Sequence, residues 1–156
     1  MSYYSSIAKG YDNLHKEEQL KKLKIIKENL GIRKTDKLLD VGCGTGFSLD
    51  FFGCDCTGIE PSIEMAGNNK KIMMGKSEEL PFADNSFDIV ISVTAIHNFD
   101  DVKKGLEEMK RVGKEKFAFS VLKKAKSFET IKKTIHDLFT INKQIEEEKD
   151  IIFIVL

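Results

Sequence analysis

The chain has 156 residues, of which 41% are hydrophobic and 32% are charged, and its 25 basic side chains balance its 25 acidic ones. This length and composition predict one globular domain, residues 1–156, and exclude a global charge that would attract nucleic acid or an anionic membrane. No apolar run approaches the roughly 20 residues that a membrane-spanning helix requires, so we expect a cytoplasmic protein without a membrane partner.

The first residues contain two tyrosines that share one side of a helix if this segment is helical. Tyr4 and Tyr11 are seven positions apart, and Ile7 and Ala8 lie between them. An aromatic and apolar side of this kind predicts an N-terminal lid segment, residues 1–13, over a ligand site. Packing of the same tyrosines on a sheet is an equally good interpretation, because aromatic stripes usually serve packing.

A first long helix is predicted over residues 15–30. Its apolar residues recur at helical intervals and predict one buried face. Glu18 and Lys22 have opposite charges and are spaced to interact on the surface of this helix. The buried face consists of Leu20, Leu23, Ile26 and Leu30.

The stretch KLLDVGCGTG, residues 37–46, begins as a short buried strand and ends in alternate glycines. Asp40 lies at the end of the strand, and Gly42, Gly44 and Gly46 follow it. A strand that turns at once into a helix needs backbone angles that glycine reaches cheaply, and the missing side chains let a ligand lie against backbone N–H groups. The stretch therefore predicts a nucleotide-sized cofactor site at the first turn of an α/β sheet.

The glycine spacing separates two kinds of cofactor. A dinucleotide site has the pattern G-x-G-x-x-G and holds a pyrophosphate, whereas the third glycine of this chain comes one residue earlier. Asp40 would repel a pyrophosphate but would attract an amino or sulfonium group. The pattern therefore favours a cationic cofactor, and a nicotinamide dehydrogenase fails on its glycine spacing.

A second strand, residues 55–60, ends at Glu60, which lies 18 residues after Gly42. This distance returns a carboxylate to the same cleft, where it can accept hydrogen bonds from both hydroxyls of a ribose. The alternative is a surface acid at the start of a helix, where the helix dipole favours negative charge.

Three cysteines, Cys43, Cys54 and Cys56, lie in or beside the predicted core. Their odd number argues against a disulfide framework, and two thiols spaced C-x-C without a nearby histidine make a poor zinc site. We expect reduced cysteines that pack in the core and no bound metal.

The remainder of the chain alternates strand and helix patterns. A buried strand begins at residue 89 and ends in the polar Thr94, with His97 shortly after it. Functional groups are expected at the carboxyl end of such a strand. The other predicted elements are a short helix over residues 47–52, a weak strand over 71–75, a loop over 75–88, helices over 102–112 and 127–138, a strand over 117–122 and a final hairpin from strands within 139–147 and 150–156.

These motifs resemble those of the class I S-adenosylmethionine-dependent methyltransferases. The first motif of that family, acid-x-G-x-G-x-G, is matched by DVGCGTG at residues 40–46, and its G-D-A-E-x-L-P-F-x-D-x-S-F-D motif is similar to GKSEELPFADNSFD at residues 75–88. Members that methylate quinones and other small molecules have an N-terminal Y-x-x-x-A-x-x-Y-D, which residues 4–12 match. The resemblance implies an α/β fold, a three-layer Rossmann-like sandwich around a seven-stranded, mostly parallel sheet with a C-terminal antiparallel hairpin.

The resemblance also implies S-adenosylmethionine as the cofactor, S-adenosylhomocysteine as its product and Glu60 as the ribose-binding acid. Lys76 is a departure, because many relatives place there an aspartate that accepts from the adenine amino group, although Ser77 can still offer its backbone N–H to the ring. His97 is the leading candidate for a general base, and a loop histidine that holds structure is an equally good interpretation. The cofactor contacts implied are Tyr11, Asp40, Gly42, Cys43, Gly44, Gly46, Glu60, Pro61, Ser77 and Thr94.

The acceptor of the methyl group is the least specified feature of the sequence. Members of the family often carry substrate-binding insertions after the fifth strand, and this chain has almost none, so we expect an open cleft that a large substrate or a partner completes. Lys123, Lys124 and Lys126 follow that strand, where they could meet an RNA backbone, although an ordinary solvated surface is the more common explanation for such a run of lysines. RNA or a protein-associated substrate is slightly favoured over a small molecule, and a small activator protein is a candidate partner. A non-catalytic cofactor-binding subunit is the alternative function.

Overall fold

The computed structural model describes the backbone of residues 2–156 and the side chains of residues 14–156. The strands are β1 (Lys37–Val41), β2 (Asp55–Glu60), β3 (Ile72–Met74), β4 (Phe87–Val93), β5 (Gly113–Leu122), β6 (Lys143–Glu146) and β7 (Asp150–Val155). The helices are α1 (Ser2–Leu30), α2 (Ile63–Ala66), α3 (Val102–Val112) and α4 (Phe128–Leu138), and there are short 3-10 turns at Phe47–Asp50 and Ile96–Asn98.

The strands form one sheet in the order β3, β2, β1, β4, β5, β7, β6. The first five strands of this order pair in parallel, and β7 runs antiparallel to both β5 and β6. The seven-stranded, mostly parallel sheet with a C-terminal hairpin is therefore confirmed. The chain order reverses between β1 and β4, and in open α/β sheets such a reversal opens a crevice at the carboxyl ends of the strands.

Helices cover both faces of this sheet, so the molecule has three layers, as predicted. On one face, Leu23 and Ile26 of α1 belong to a buried cluster with Leu38 of β1. On the other face, Leu106 of α3 and Ile135 of α4 belong to a second buried cluster. Burial of each such side chain contributes about 1.5–3 kcal/mol. Burial of the apolar face of each helix is therefore the main interaction that holds these helices against the sheet. In the described part of the chain, no helix has both the length and the apolar character needed to cross a membrane.

The N-terminal helix is longer than the sequence predicts. We expected a helix over residues 15–30, but α1 begins at Ser2. The side chains of the predicted lid, Tyr4 and Tyr11, lie outside the residues whose side chains the structure describes. The lid therefore stays a prediction.

The fifth strand also begins earlier than the apolar pattern indicates, at Gly113 instead of residue 117. Charged residues 114–116 occupy its first positions, two of them exposed, and they hide the strand from a search for apolar runs. Gly113 allows the chain to pass from α3 directly into β5, because a Cβ atom there would lie 2.5 Å from the ring of Phe117.

Candidate functional site

A cavity of about 970 Å³ opens at the carboxyl ends of β1, β2 and β4, where the chain order of the sheet reverses. One side of α1 forms a further wall through His15, Gln19 and Leu23. From the sequence, His15 and Gln19 resemble an ordinary helix surface and Leu23 belongs to the buried face of the helix, so none of the three was predicted to line a site. The volume is typical of sites for small ligands and cofactors. The predicted site residues that line the cavity are Asp40, Gly42, Cys43, Gly44, Glu60, Pro61, Ser77 and Thr94.

Two glycines after β1 are required by the geometry of the turn. Gly42 has a φ of 78°, and a Cβ atom on it would lie 2.7 Å from the Cβ atom of Ala95. Gly46 has a φ of 82°, and a Cβ atom on it would lie 2.6 Å from Nδ2 of Asn69. Left-handed backbone and contacts this short exclude any other residue without strain. Gly46 is not among the residues that line the cavity, so it supports the turn from behind.

The backbone N–H groups of this turn bond within the protein, which differs from our expectation that a ligand would use them. Those of Gly42 and Cys43 donate to the carbonyl oxygen of Ile59, at 2.9 and 3.2 Å. The N–H of Gly44 donates to Oε1 of Glu60 at 2.8 Å. A pyrophosphate needs such donors, so their internal use is a second argument against a dinucleotide.

Glu60 is fixed at the end of β2 by two backbone donors. Its Oε1 atom accepts from Gly44, and its Oε2 atom accepts from the N–H of Ser62 at 2.9 Å. A carboxylate has about four acceptor positions, so the remaining ones can accept from the hydroxyls of a ligand. The sequence predicted the carboxylate at the cavity but gave no sign that it also braces the glycine turn.

Asp40 is buried at the end of β1, with 2% of its surface exposed. Its Oδ2 atom accepts from the hydroxyl of Ser48, whereas its Oδ1 atom has no hydrogen-bond partner among the described residues. Burial raises the pKa of Asp40 to about 7, the Ser48 hydrogen bond opposes this increase, and the charge of Glu60 adds to it. A buried carboxylate oxygen without a donor is rare, and in a cavity wall it fits a cationic group of a ligand.

The cysteines are packing residues rather than reactive ones. Burial is the main cause that raises the pKa of the Cys43 and Cys54 thiols and that raises the pKa of Cys56 to about 12. The Sγ atoms of Cys54 and Cys56 are 3.6 Å apart. Within residues 14–156, no group of three or more His, Cys, Asp or Glu side chains is placed to hold a metal ion.

Thr94 follows β4 at the cavity wall and has a φ of 52°, which is unusual for a β-branched residue. Lys22 of α1 donates to its Oγ1 atom at 2.9 Å. We had expected Lys22 to interact with Glu18 on the helix surface. Glu18 instead accepts from Lys149 at 2.6 Å, while Lys22 turns into the protein.

His97 is not on the cavity wall, although the sequence suggested that it would be. It lies half-buried in the 3-10 turn Ile96–Asn98, and its Nδ1 atom is buried without a hydrogen-bond partner among the described residues. Side chains three positions apart share one side of a 3-10 turn, and Ala95 and Asn98 are the pair that faces the cavity. His97 is therefore directed elsewhere.

Comparison with known proteins identifies the family to which this fold belongs. The family model described as a methyltransferase domain matches residues 39–119. The chain belongs to the class I S-adenosylmethionine-dependent methyltransferases. S-adenosylmethionine is the cofactor of this family, and the matched segment contains both Asp40 and Glu60.

Two curated relatives and one solved structure show how far the likeness extends. An uncharacterised protein of Methanocaldococcus jannaschii is 36% identical over 128 residues, which cover 76% of this chain and 50% of that protein. A demethylmenaquinone methyltransferase of Staphylococcus aureus is 32% identical over 131 residues, which cover 70% of this chain and 53% of that protein. The chain thus spans about half the length of these relatives. A putative methyltransferase of Haloferax volcanii, solved in complex with the Trm112 methyltransferase activator, shares the fold with a TM-score of 0.76 and 17% identity over 96% of this chain and 94% of that one.

The lining of the cavity departs from the family motif at Lys76. The Nζ atom of Lys76 lies 3.1 Å from Oδ2 of Asp100, and both residues line the cavity rim. Asp100 thus places a carboxylate beside Lys76 at the edge of the cavity. Asp100 was not among the predicted site residues, because no motif in the sequence singles it out.

The lysines after β5 are not part of this cavity. None of Lys123, Lys124 and Lys126 lines it, and Lys123 donates to Oε1 of Glu146 at 3.1 Å. Lys124 and Lys126 are exposed. One of the three lysines is thus already paired with an acid, and their contact with RNA stays a prediction.

Proposed function

We propose that this methyltransferase binds S-adenosylmethionine in the cavity and transfers its methyl group to a small-molecule acceptor. The observation that carries the proposal is the buried Oδ1 atom of Asp40, which has no donor among the described residues. The amino group of the cofactor would supply that donor, and Glu60 would accept from its ribose. The sulfonium methyl group is already activated, so the protein needs to align it with the acceptor and exclude water.

The other site residues have supporting roles in this proposal. Pro61 and Ser77 would lie beside the adenine, Thr94 beside the amino acid end, and the Gly42, Cys43 and Gly44 backbone against the cofactor. Gly46 would support the glycine turn without lining the cavity, and Tyr11 stays the predicted lid. If the molecule that receives the methyl group must lose a proton, His15 on the cavity wall is a better candidate for the general base than His97.

A small acceptor is supported by the cavity and by the relatives. The cavity includes a wall from α1, and its volume of about 970 Å³ is at the upper end of the range for small-ligand sites, which supports a second small ligand beside a cofactor. The Staphylococcus aureus relative is named for a quinone-type substrate, and the N-terminal tyrosine pattern resembles that of small-molecule members. The lysines that favoured RNA lie outside the cavity lining, so a quinone-like or other small acceptor is the better proposal.

Calorimetry and a methyl-transfer assay test this function. Purified protein should bind S-adenosylmethionine and S-adenosylhomocysteine with comparable affinity, because Asp40 and Glu60 contact parts that the two ligands share. Radiolabelled methyl groups should then appear in the small-molecule fraction of a cell extract. Absence of binding would refute the cofactor assignment, and binding without transfer to any fraction would favour the non-catalytic subunit.

RNA binding provides a separate test of the acceptor class. We expect the K123A/K124A/K126A variant and a control variant, K103A/K104A/K110A, to give the same weak dependence of RNA binding on salt as the wild type. If the lysines after β5 do contact RNA, their loss would lower the salt slope by up to about three units. A reduced slope in the first variant alone would restore RNA as the acceptor.

A partner protein is a second part of the proposal. β3 is an edge strand of the sheet, and Met73 and Met74 on it are 43% and 48% exposed, next to Ile63 at 72%. Exposed apolar side chains on an open edge fit the addition of a partner strand. The Haloferax volcanii structure contains an activator, so the transfer assay should be run with and without a Trm112-type protein.

A further inference from the structure

A buried ionic cluster joins four elements beside the cavity. Lys22 of α1 and Asp150 of β7 have side chains that are 3% and 0% exposed, and Nζ lies 3.2 Å from Oδ1. Thr94 donates to Oδ2 of Asp150 at 2.7 Å, and Ser120 of β5 donates to the same oxygen at 2.5 Å. We infer that Lys22 and Asp150 are positioning residues that hold the cofactor-binding turn after β4 in its left-handed conformation.

Stability alone gives no reason for this ion pair. Replacing a buried ion pair with apolar side chains of similar size is often neutral or stabilising, because desolvation offsets the attraction between the charges. The cluster lies where α1, the turn after β4, β5 and β7 meet, and every member contacts Asp150. A buried pair in such a place points to a role in fixing geometry.

Thr94 is the residue whose geometry is fixed. A β-branched side chain with a φ of 52° is strained, and such strain persists where surrounding contacts determine the conformation. The hydroxyl of Thr94 accepts from Lys22 and donates to Asp150, and its N–H donates to the Ser120 carbonyl at 2.8 Å. Two hydrogen bonds thus fix the side chain of Thr94, and a third fixes its backbone.

The turn that Thr94 begins is in contact with the glycine turn. Ala95 lies so close to Gly42 that a Cβ atom on Gly42 would be 2.7 Å from the Cβ atom of Ala95. Relaxation of Thr94 out of its left-handed conformation would move Ala95 against or away from Gly42. The cluster therefore couples the seating of α1 to the shape of the cofactor site, and this inference rests on the proposed function.

The test compares the affinity for S-adenosylhomocysteine, by calorimetry, with the melting temperature of each ligand-free variant. K22M/D150N removes both charges, so neither is left buried without a partner, and it should bind about tenfold more weakly because Thr94 relaxes. A control, K71M/D50N, removes an exposed ion pair with a 2.7 Å separation and should bind as the wild type does.

Rescue distinguishes positioning from a simple anchor for α1. Glycine adopts a left-handed conformation without strain, so adding T94G to K22M/D150N should recover most of the lost affinity while leaving the melting temperature no higher. Unchanged affinity in K22M/D150N, or a loss that T94G does not recover, would overturn the inference.

If K22M/D150N does not fold, T94V replaces it. T94V keeps the ion pair but lacks the hydroxyl, and wild-type affinity in T94V would equally refute positioning. A wild-type protein that binds no S-adenosylhomocysteine would refute the proposed function itself, and this inference with it.

Discussion

Replacing Asp40 with asparagine should stabilise the ligand-free protein at pH 8 by up to about 4 kcal/mol and weaken cofactor binding about 10- to 100-fold. Burial raises the pKa of Asp40 from its ordinary value of 3.8 to about 7, and a difference of about three units corresponds to about 4 kcal/mol. Folding thus favours the neutral carboxyl. The loss of affinity follows because the neutral amide of asparagine lacks the negative charge that strengthens a hydrogen bond from a cationic amino group.

The sign of the pH dependence follows from the same pKa. Between pH 4 and pH 7 the unfolded chain has lost the Asp40 proton and the folded chain retains it, so this group makes the wild type less stable as pH rises and its contribution is constant above pH 7. D40N should lack that decline. Thermal unfolding from pH 4 to pH 8.5 measures the difference, with E64Q as the control because Glu64 is exposed.

Cofactor affinity should show the opposite trend in the wild type. A cationic amino group needs the ionised form of Asp40, so binding of S-adenosylhomocysteine should tighten as pH rises from 6 to 8, with release of a proton. The D40N profile should be flat over the same range. A wild-type profile without this slope, or D40N stability equal to that of the wild type at pH 8, would show that burial does not raise the pKa of Asp40 in the free protein.

The parts of the site that the sequence predicted are those that short-range rules determine. Alternate glycines after a buried strand require a tight turn, which located Gly42 and Gly46, and one further strand returned Glu60 to the same edge of the sheet. The order of the elements followed from apolar spacing in the same way. The predicted start of a strand was wrong where charged residues and a glycine interrupted that spacing, as in β5, which begins at Gly113.

The parts that the sequence did not predict depend on partners far along the chain. In the sequence, the spacing of Glu18 and Lys22 predicts an ion pair on the helix surface. No residue close to Lys22 in the sequence indicates that its side chain is buried against Asp150 instead. The internal use of the Gly44 N–H by Glu60 requires two strands to be side by side. Asp100 likewise matters through its distance to Lys76, which no local pattern encodes.

The second large effect concerns Glu60, whose replacement by alanine should weaken binding of S-adenosylhomocysteine by about 1.5–3 kcal/mol, the scale of hydrogen bonds to a charged group. Alanine also leaves the N–H groups of Gly44 and Ser62 without their acceptor, so the glycine turn should loosen and the ligand-free protein should melt at a lower temperature. Glutamine is no conservative substitute, because its amide would direct a donor at one of these two N–H groups.

A thermodynamic cycle with a second ligand separates the two proposed roles of Glu60, which are binding of the ribose and support of the glycine turn. Wild type and E60A are titrated with S-adenosylhomocysteine and with its 2′-deoxyribose analogue, and E64A serves as the exposed control. If Glu60 accepts from the ribose, the wild type should lose affinity for the deoxy analogue while E60A binds both ligands alike, which is a non-zero coupling energy. If E60A weakens both ligands by the same factor, Glu60 acts only by bracing the turn. Unchanged binding in E60A would remove Glu60 from the site, and with it the proposal that this edge of the sheet holds a ribose.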